Sequence, residues 1–177
     1  MPHILKQKIR TVPHWPKQGI MFRDITTLLQ DAVGFKRMLD LLQERYKNFK
    51  IDKIVGIESR GFIIGSPLAD RLGLGFVPIR KKGKLPAATI SEEYELEYGK
   101  DKIEIHLDAL LPGEKVLLVD DLIATGGTAL AACNLIKKAG GQVAECCFVV
   151  DLPELGGKKK LESAGHKSFA LVEFEGE

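Results

Sequence analysis

Two acidic residues, Asp120 and Asp121, close the apolar run KVLLVDD, and the turn Ala124-Thr125-Gly126-Gly127-Thr128 follows at once, ahead of a helical pattern. Adjacent carboxylates at a strand end can accept hydrogen bonds from a polyhydroxylated ligand. The two glycines let the backbone approach a ligand closely, and successive N–H groups at a helix start form a concavity for an anion, with Thr125 and Thr128 adding hydroxyl donors. The helix dipole contributes about 0.3–2 kcal/mol there, less than several directed N–H bonds to a phosphate. The plain alternative is a glycine pair that only starts a helix beside solvated aspartates; six polar or glycine positions within nine residues favour phosphate binding. No GxxxxGK[ST] and no GxGxxG occurs, which argues against a nucleoside triphosphatase or a dinucleotide enzyme. A second turn, Glu58-Ser59-Arg60-Gly61, offers backbone N–H groups and the planar charged fork of Arg60, suited to phosphate oxygens. Arg80, Lys81 and Lys84 are the other local cations. A basic run alone is more often a solvated face.

These turns need strands to hold them. IDKIVGIES, GFVPI, KVLLVDD, AECCFVV and SFALVEF read as short strands. Between them, Phe35, Met38, Leu39, Leu42, Tyr46 and Phe49 recur at helical spacing after an Asp31 start signal, FIIGSPLADRLGLG reads as a helix stopping at Gly73, and LIATGGTALAACNLIKKAGG as a Gly-rich turn and a helix ended by Gly140 and Gly141. Alternating strands and helices imply βαβ units and a mainly parallel sheet flanked by helices, an α/β fold whose ligand crevice lies beyond the carboxyl ends of the strands. The charged, Gly/Pro-punctuated stretch from RKKGKLPAAT through SEEYELEYGKDK reads as a flexible hairpin loop, with Ile103 and Ile105 on its returning strand. After AECCFVV only SFALVEF is readable.

The chain has 177 residues, 45% of them apolar, and a net charge of +2, so one domain covering 1–177 is expected, with its own core and no strong basic field for nucleic acid. Its three cysteines, Cys133, Cys146 and Cys147, form no CxxC, and its four histidines have no ligand spacing, which argues against a disulfide framework and a bound zinc. No apolar run approaches the roughly 20 residues that cross a bilayer. A cytoplasmic location is expected.

VLLVDDLIATGGT, residues 116–128, resembles the phosphoribosyl pyrophosphate signature of type I phosphoribosyltransferases, and KQGIMFRDITTLLQD resembles the base-recognition element of the adenine phosphoribosyltransferases, usually Pro-Gly-x-x-Phe-Arg-Asp-Ile. Gly19, Phe22, Arg23, Asp24 and Ile25 match, while Gln18 and Thr27 stand where prolines are common. The resemblance runs from about Val12 to Val150 and implies the type I phosphoribosyltransferase fold, with a small base-binding hood over residues 1 to about 33. It assigns Asp120 and Asp121 to the ribose hydroxyls, Ala124, Thr125, Gly126, Gly127 and Thr128 to the 5-phosphate, and Ser59, Arg60, Arg80, Lys81 and Lys84 to pyrophosphate. It gives Met21 (through its backbone), Phe22 and Arg23 to adenine. Glu97 matches a glutamate that helps proton movement on the base, and with Asp120, Asp121 and Arg60 makes the catalytic set.

The activity implied is formation of AMP and pyrophosphate from adenine and phosphoribosyl pyrophosphate in purine salvage, with magnesium held mainly by substrate and no direct side-chain ligand assigned. The family is commonly dimeric, so a homodimer is expected. A backbone edge complementary to adenine N1 and N6 leaves guanine or hypoxanthine with unpaired buried groups, each costing about 1–3 kcal/mol. Two rivals stand beside this reading: a regulator that keeps the fold and senses the same ligands, for which no helix-turn-helix pattern precedes Gly19, and an enzyme of another base specificity.

Overall fold

The computed structural model describes residues 2–96 and 98–176. Glu97 lies outside the described residues. At the centre is a seven-stranded sheet of order β5-β6-β4-β3-β7-β8-β9. Its parallel part comprises β3 (Lys53–Ile57), β4 (Gly75–Lys81), β7 (Lys115–Ile123), β8 (Gln142–Asp151) and β9 (Ser168–Glu173). Strands β5 (Thr89–Glu95) and β6 (Lys100–His106) form an antiparallel hairpin that joins β4 through two residue pairs.

Parallel strands covered on both faces read as continuous apolar runs, and β7 and β8 show why. Leu117, Val119, Cys147 and Val149 point to one face, where they pack with Met38 and Leu42 of α3 (Ala32–Tyr46) and Ile64 and Leu68 of α4 (Arg60–Leu72). Val116, Leu118, Cys146 and Phe148 point to the other, against Ala132, Leu135 and Ile136 of α5 (Gly127–Lys138) and Leu161 of α6 (Gly157–Ser163). Each such fully buried branched side chain contributes about 1.5–3 kcal/mol, enough for β7 to carry two carboxylates near its end and still hold its place. The three cysteines are buried free thiols.

The expected helix after Asp31 forms, with the Asp31 carboxylate accepting from Gly34 N at 3.1 Å as its cap. It stops at Tyr46, so Phe49 lies beyond it and is 41% exposed. Gly73, at φ 67°, ends α4 as expected. The amino-terminal region holds α1 (Pro2–Gln7), a separate two-stranded antiparallel sheet of β1 (Arg10–Pro13) and β2 (Met21–Asp24), and the short α2 (Thr26–Gln30). Short polar-rich elements of this kind carry too little periodicity to be read from sequence. The same holds for α6 and for the 3-10 turn Pro153–Leu155.

Candidate active site

A cavity of about 680 Å³ opens at the carboxyl ends of β7 and β8. Of the residues singled out in the sequence, Met21, Phe22, Arg23, Arg60, Asp120, Asp121, Ala124, Thr125, Gly126 and Thr128 all border it. Gly127 sits among them as the first residue of α5, and Ser59 is exposed at the start of α4.

Position in the sheet dictates this convergence. β7 pairs with β3 on one side and β8 on the other, so its carboxyl end lies centrally, and α4 begins directly beside it. Close approach of the two requires a glycine at 61: a β-carbon there would stand 2.8 Å from the Val119 carbonyl and 3.2 Å from Asp120 Oδ1. The contact brings Arg60 to Asp121, and Arg60 Nε donates to Asp121 Oδ2 in an ion pair. The Asp121 amide donates to Asp120 Oδ1 at 2.8 Å. Burial and then the neighbouring Asp121 carboxylate push the Asp120 carboxyl well above the usual carboxylate range, with Arg60 opposing. The cavity floor therefore places the Asp121 side chain, tied to Arg60, beside an Asp120 carboxyl that resists ionisation.

Beyond Asp121, Gly126 takes φ 82° and caps α5. Its neighbour across space is Gly157, which sequence reasoning missed. A β-carbon on Gly126 would meet Gly157 Cα and O at 2.9 Å; one on Gly157 would meet the Ala124 carbonyl at 2.5 Å and Gly126 N at 3.0 Å. The Gly157 amide donates to the Ala124 carbonyl at 3.0 Å. Two backbones thus pack face to face, and the start of α6 fixes the turn from behind. The only sequence sign was the Gly156-Gly157 pair before a lysine run.

The opposite wall comes from β2. Trp15 packs edge-on to Phe22 with ring centroids 4.5 Å apart, and the Arg60 guanidinium stands 5.8 Å from the Phe22 ring. Arg23 is held by Thr11 Oγ1 at 2.6 Å and by the Glu175 carbonyl at 3.0 Å. Asp24 braces the start of the neighbouring helix, since its carboxylate accepts from Thr26 N at 2.9 Å and from Arg10 Nε at 3.1 Å. Burial works against its charge, but the Thr26 and Arg10 contacts outweigh that and hold its pKa below the usual value. Leu122, Ile123, Leu152 and Leu155 supply an apolar wall that was not singled out. Leu152 and Leu155 follow β8, so the strand-end rule was the signal for them.

The remaining cations do not border the cavity. Arg80 donates to Glu58 Oε2 at 3.3 Å, Lys81 pairs with Asp101 at 2.9 Å, and Lys84 is exposed in the turn after β4. Near them the peptide bond between Glu58 and Ser59 is cis. The β5–β6 hairpin lies over α5: Glu92 pairs with Lys138, the Tyr94 hydroxyl donates to Asp101 Oδ2 at 3.3 Å within the hairpin, and the Glu95 carbonyl would stand 3.9 Å from a β-carbon on Gly127. At its tip, the Tyr98 ring lies 4.5 Å from Lys17 Nζ of the β1–β2 connection. The hairpin therefore spans from the glycine turn to the hood.

The carboxylate pair, the glycine turn and the aromatic wall of β2 thus border one cavity. The phosphoribosyl transferase domain model matches residues 25–170. An adenine phosphoribosyltransferase of Nitrosospira multiformis is 63% identical over 172 residues, 97% of this chain and 98% of that protein. The chain belongs to the adenine phosphoribosyltransferase family. Among solved adenine phosphoribosyltransferases, that of Thermoanaerobacter pseudethanolicus superposes with a TM-score of 0.94 at 48% identity, covering 98% of this chain and all of the other. The Saccharomyces cerevisiae adenine phosphoribosyltransferase, solved with an imino-altritol bisphosphate and adenine, gives 0.90 at 40% identity over 97% of this chain and 98% of its own. The type I fold is thus shared along nearly the whole length of these family members.

Proposed function

We propose that the chain transfers the 5-phosphoribosyl group of phosphoribosyl pyrophosphate to N9 of adenine, releasing pyrophosphate. One observation carries this: the Asp120–Thr128 segment and the Met21–Arg23 segment, the two stretches that resemble the ribose-phosphate and base elements, border the same cavity. The Saccharomyces cerevisiae relative, solved in complex with an imino-altritol bisphosphate and adenine, supports this reading.

In this reading the 5-phosphate occupies the turn from Ala124 to Thr128, and Asp120 and Asp121 accept hydrogen bonds from the ribose hydroxyls. Hydroxyl donors favour the charged form of Asp120, so binding the sugar lowers its pKa and completes a doubly anionic floor under the anomeric carbon. As the bond from that carbon to the pyrophosphate oxygen breaks, the floor stabilises the positive charge that develops. Arg60 remains oriented by Asp121 and turns its other N–H groups to the leaving group, beside Ser59. Arg80, Lys81 and Lys84 contribute there once Arg80 and Lys81 exchange Glu58 and Asp101 for pyrophosphate oxygens. Phe22 stacks on the purine, Met21 backbone groups meet its N1 and N6 edge, and Arg23 borders the ring. N9 attacks from the opposite face and forms the new bond to the anomeric carbon, and Glu97 helps the N9 proton leave. Positioning two substrates in one cavity accounts for about 7–11 kcal/mol of the barrier.

Among the described residues no three His, Cys, Asp or Glu side chains converge as a metal cage. Two adjacent carboxylates with substrate phosphates fit magnesium, which keeps its water and takes few protein ligands. Such an ion would be held mainly by substrate oxygens, with Asp120 and Asp121 as the nearest carboxyl groups of this chain, and would neutralise charge on the pyrophosphate. We further propose a homodimer working in the cytoplasm in purine salvage; among the described residues no helix is long and apolar enough to cross a membrane.

The test is product formation with phosphoribosyl pyrophosphate, magnesium and each of adenine, guanine, hypoxanthine, xanthine and orotate. Adenine should give the highest kcat/KM. A higher value for any other base would refute the base assignment.

A further inference from the structure

The segment after β9 runs back across the base wall of the cavity. Phe174 is 8% exposed, and its amide donates to the Asp151 carbonyl at 3.0 Å, which fixes where the segment leaves the sheet. The face of its ring carries Arg23, whose guanidinium carbon lies 4.7 Å from the centroid. The next residue presents its backbone carbonyl to Arg23 Nη2 at 3.0 Å, and the Gly176 amide then donates to Glu154 Oε1 at 2.9 Å. Glu154 belongs to the turn Pro153–Leu155, and Leu152 and Leu155 border the cavity. Three consecutive residues therefore join two parts of the cavity wall that are far apart in sequence: β2, through Arg23, and the turn after β8, through Glu154.

The consequence for Arg23 is specific. Its Nη1 is held by Thr11, directly opposite on β1, its Nη2 by Glu175, and its flat face by Phe174, while its buried Nε has no partner among the described residues. A guanidinium free in solution samples many rotamers; one gripped at both terminal nitrogens and one face is already in place when a ring enters beside it. Among the described residues the hydrogen bonds and ring contacts of the segment go to Asp151, Arg23, Glu154 and Lys6, whose Nζ lies 4.8 Å from the Phe174 ring centroid, and none of these four belongs to the Ala124–Thr128 turn.

We propose that Phe174, Glu175 and Gly176 form a positioning strap for the base half of the site, holding Arg23 and the Pro153–Leu155 turn in register so that the strap sets affinity for the purine and not for the ribose phosphate. This rests on the assignment of Met21–Arg23 to the base. The strap is made of backbone groups and one aromatic face, so the chemistry it supplies is orientation alone.

Steady-state kinetics on the full enzyme tests it with three variants: Phe174→Leu, which keeps apolar bulk and removes the ring face, a chain ending at Phe174, which removes the Glu175 and Gly176 contacts, and Phe174→Tyr, which restores the ring. The first two should raise the KM for adenine about tenfold, the loss expected for a hydrogen bond or ring contact to a charged group, and leave the KM for phosphoribosyl pyrophosphate within about twofold. Phe174→Tyr should return adenine KM to the parental value. Equal rises in both KM values, or a fall in Tm with neither KM changed, would overturn the strap and leave a merely structural role. Arg23→Ala separates the two levels. If it raises adenine KM and the strap variants do not, the strap fails and the base assignment stands; if it leaves adenine KM unchanged, both fall.

Discussion

The two halves of the cavity are built in opposite ways. The half proposed for ribose phosphate is one continuous stretch, Asp120 to Thr128, at the end of a strand flanked by β3 and β8, and it offers mostly backbone N–H groups and two carboxyl groups. The half proposed for the base is assembled from β2, the turn after β8 and residues 174–176, and the hairpin tip at Tyr98 reaches its edge through Lys17. A phosphate is the same in every nucleotide, so a rigid backbone nest can serve it from a single segment. A base must be chosen from several similar rings, which demands groups on several sides, and these come from distant segments. The first half is preformed by packing; the second is held together by a few side-chain contacts.

Breaking the preformed half should have the largest effect. Asp121→Asn removes a charge from the floor of the cavity and releases Arg60, so kcat should fall about 10²- to 10³-fold, the loss typical of a preorganised electrostatic group, with adenine KM little changed. Retention of near-parental kinetics would mean that the carboxylate pair has been misassigned. Next comes Gly157→Ala. The added methyl collides with backbone at the Ala124 carbonyl, so the turn must shift; KM for phosphoribosyl pyrophosphate should rise about tenfold, and stability should fall by the roughly 1–3 kcal/mol of an overpacked site. Thermal melting and initial-rate kinetics on the same preparation check both.

Between the halves lies the hairpin, with lysines at 82, 84, 100 and 102 and only two residue pairs joining it to β4. Trypsin should cut the free enzyme first within 82–102, and phosphoribosyl pyrophosphate with magnesium should slow that cut several-fold while other sites are unaffected. Equal cleavage rates with the site saturated would make the hairpin a rigid surface element.

The smallest effect should be on stability at Asp120. Its pKa is raised in the folded state, so the folded state binds a proton more readily than the unfolded chain; this contribution is favourable below the unfolded carboxyl range and is lost as pH rises through the folded value. Asp120→Asn should therefore raise Tm at neutral pH, by about 2–4 °C for each kcal/mol recovered in a domain of this size, and the gain should vanish in acid. Activity should fall, the usual cost of relieving a strained functional group. A Tm gain that persists unchanged at pH 3 would rule out the proton-linked origin.

The same contrast decides what the sequence could reveal. KVLLVDD and AECCFVV are legible as central strands because burial on both faces makes them uniformly apolar, and the crevice rule then places Asp120, Asp121 and the glycine turn. The βαβ order, the Asp31 cap and the Gly73 stop follow from equally local chemistry. What stays hidden acts across long sequence separation. Gly157 matters because of Ala124, Arg23 is gripped by Glu175, and Leu155 borders a cavity that begins at β2; none leaves a periodic trace in its own segment. Arg80 and Lys81 carry the charge expected of them, yet only the folded chain reveals that Glu58 and Asp101 already occupy them.

The division of the cavity can be measured directly by calorimetry with ribose 5-phosphate and AMP against two variants, Thr128→Val in the glycine turn and Phe22→Ala on the ring wall. In the proposed reading ribose 5-phosphate would touch one half and AMP both. Thr128→Val should weaken both ligands, and Phe22→Ala should weaken AMP by the about 1–3 kcal/mol of a ring stack while leaving ribose 5-phosphate unchanged. Loss of ribose 5-phosphate affinity in Phe22→Ala, with none in Thr128→Val, would contradict the assignment of the two walls.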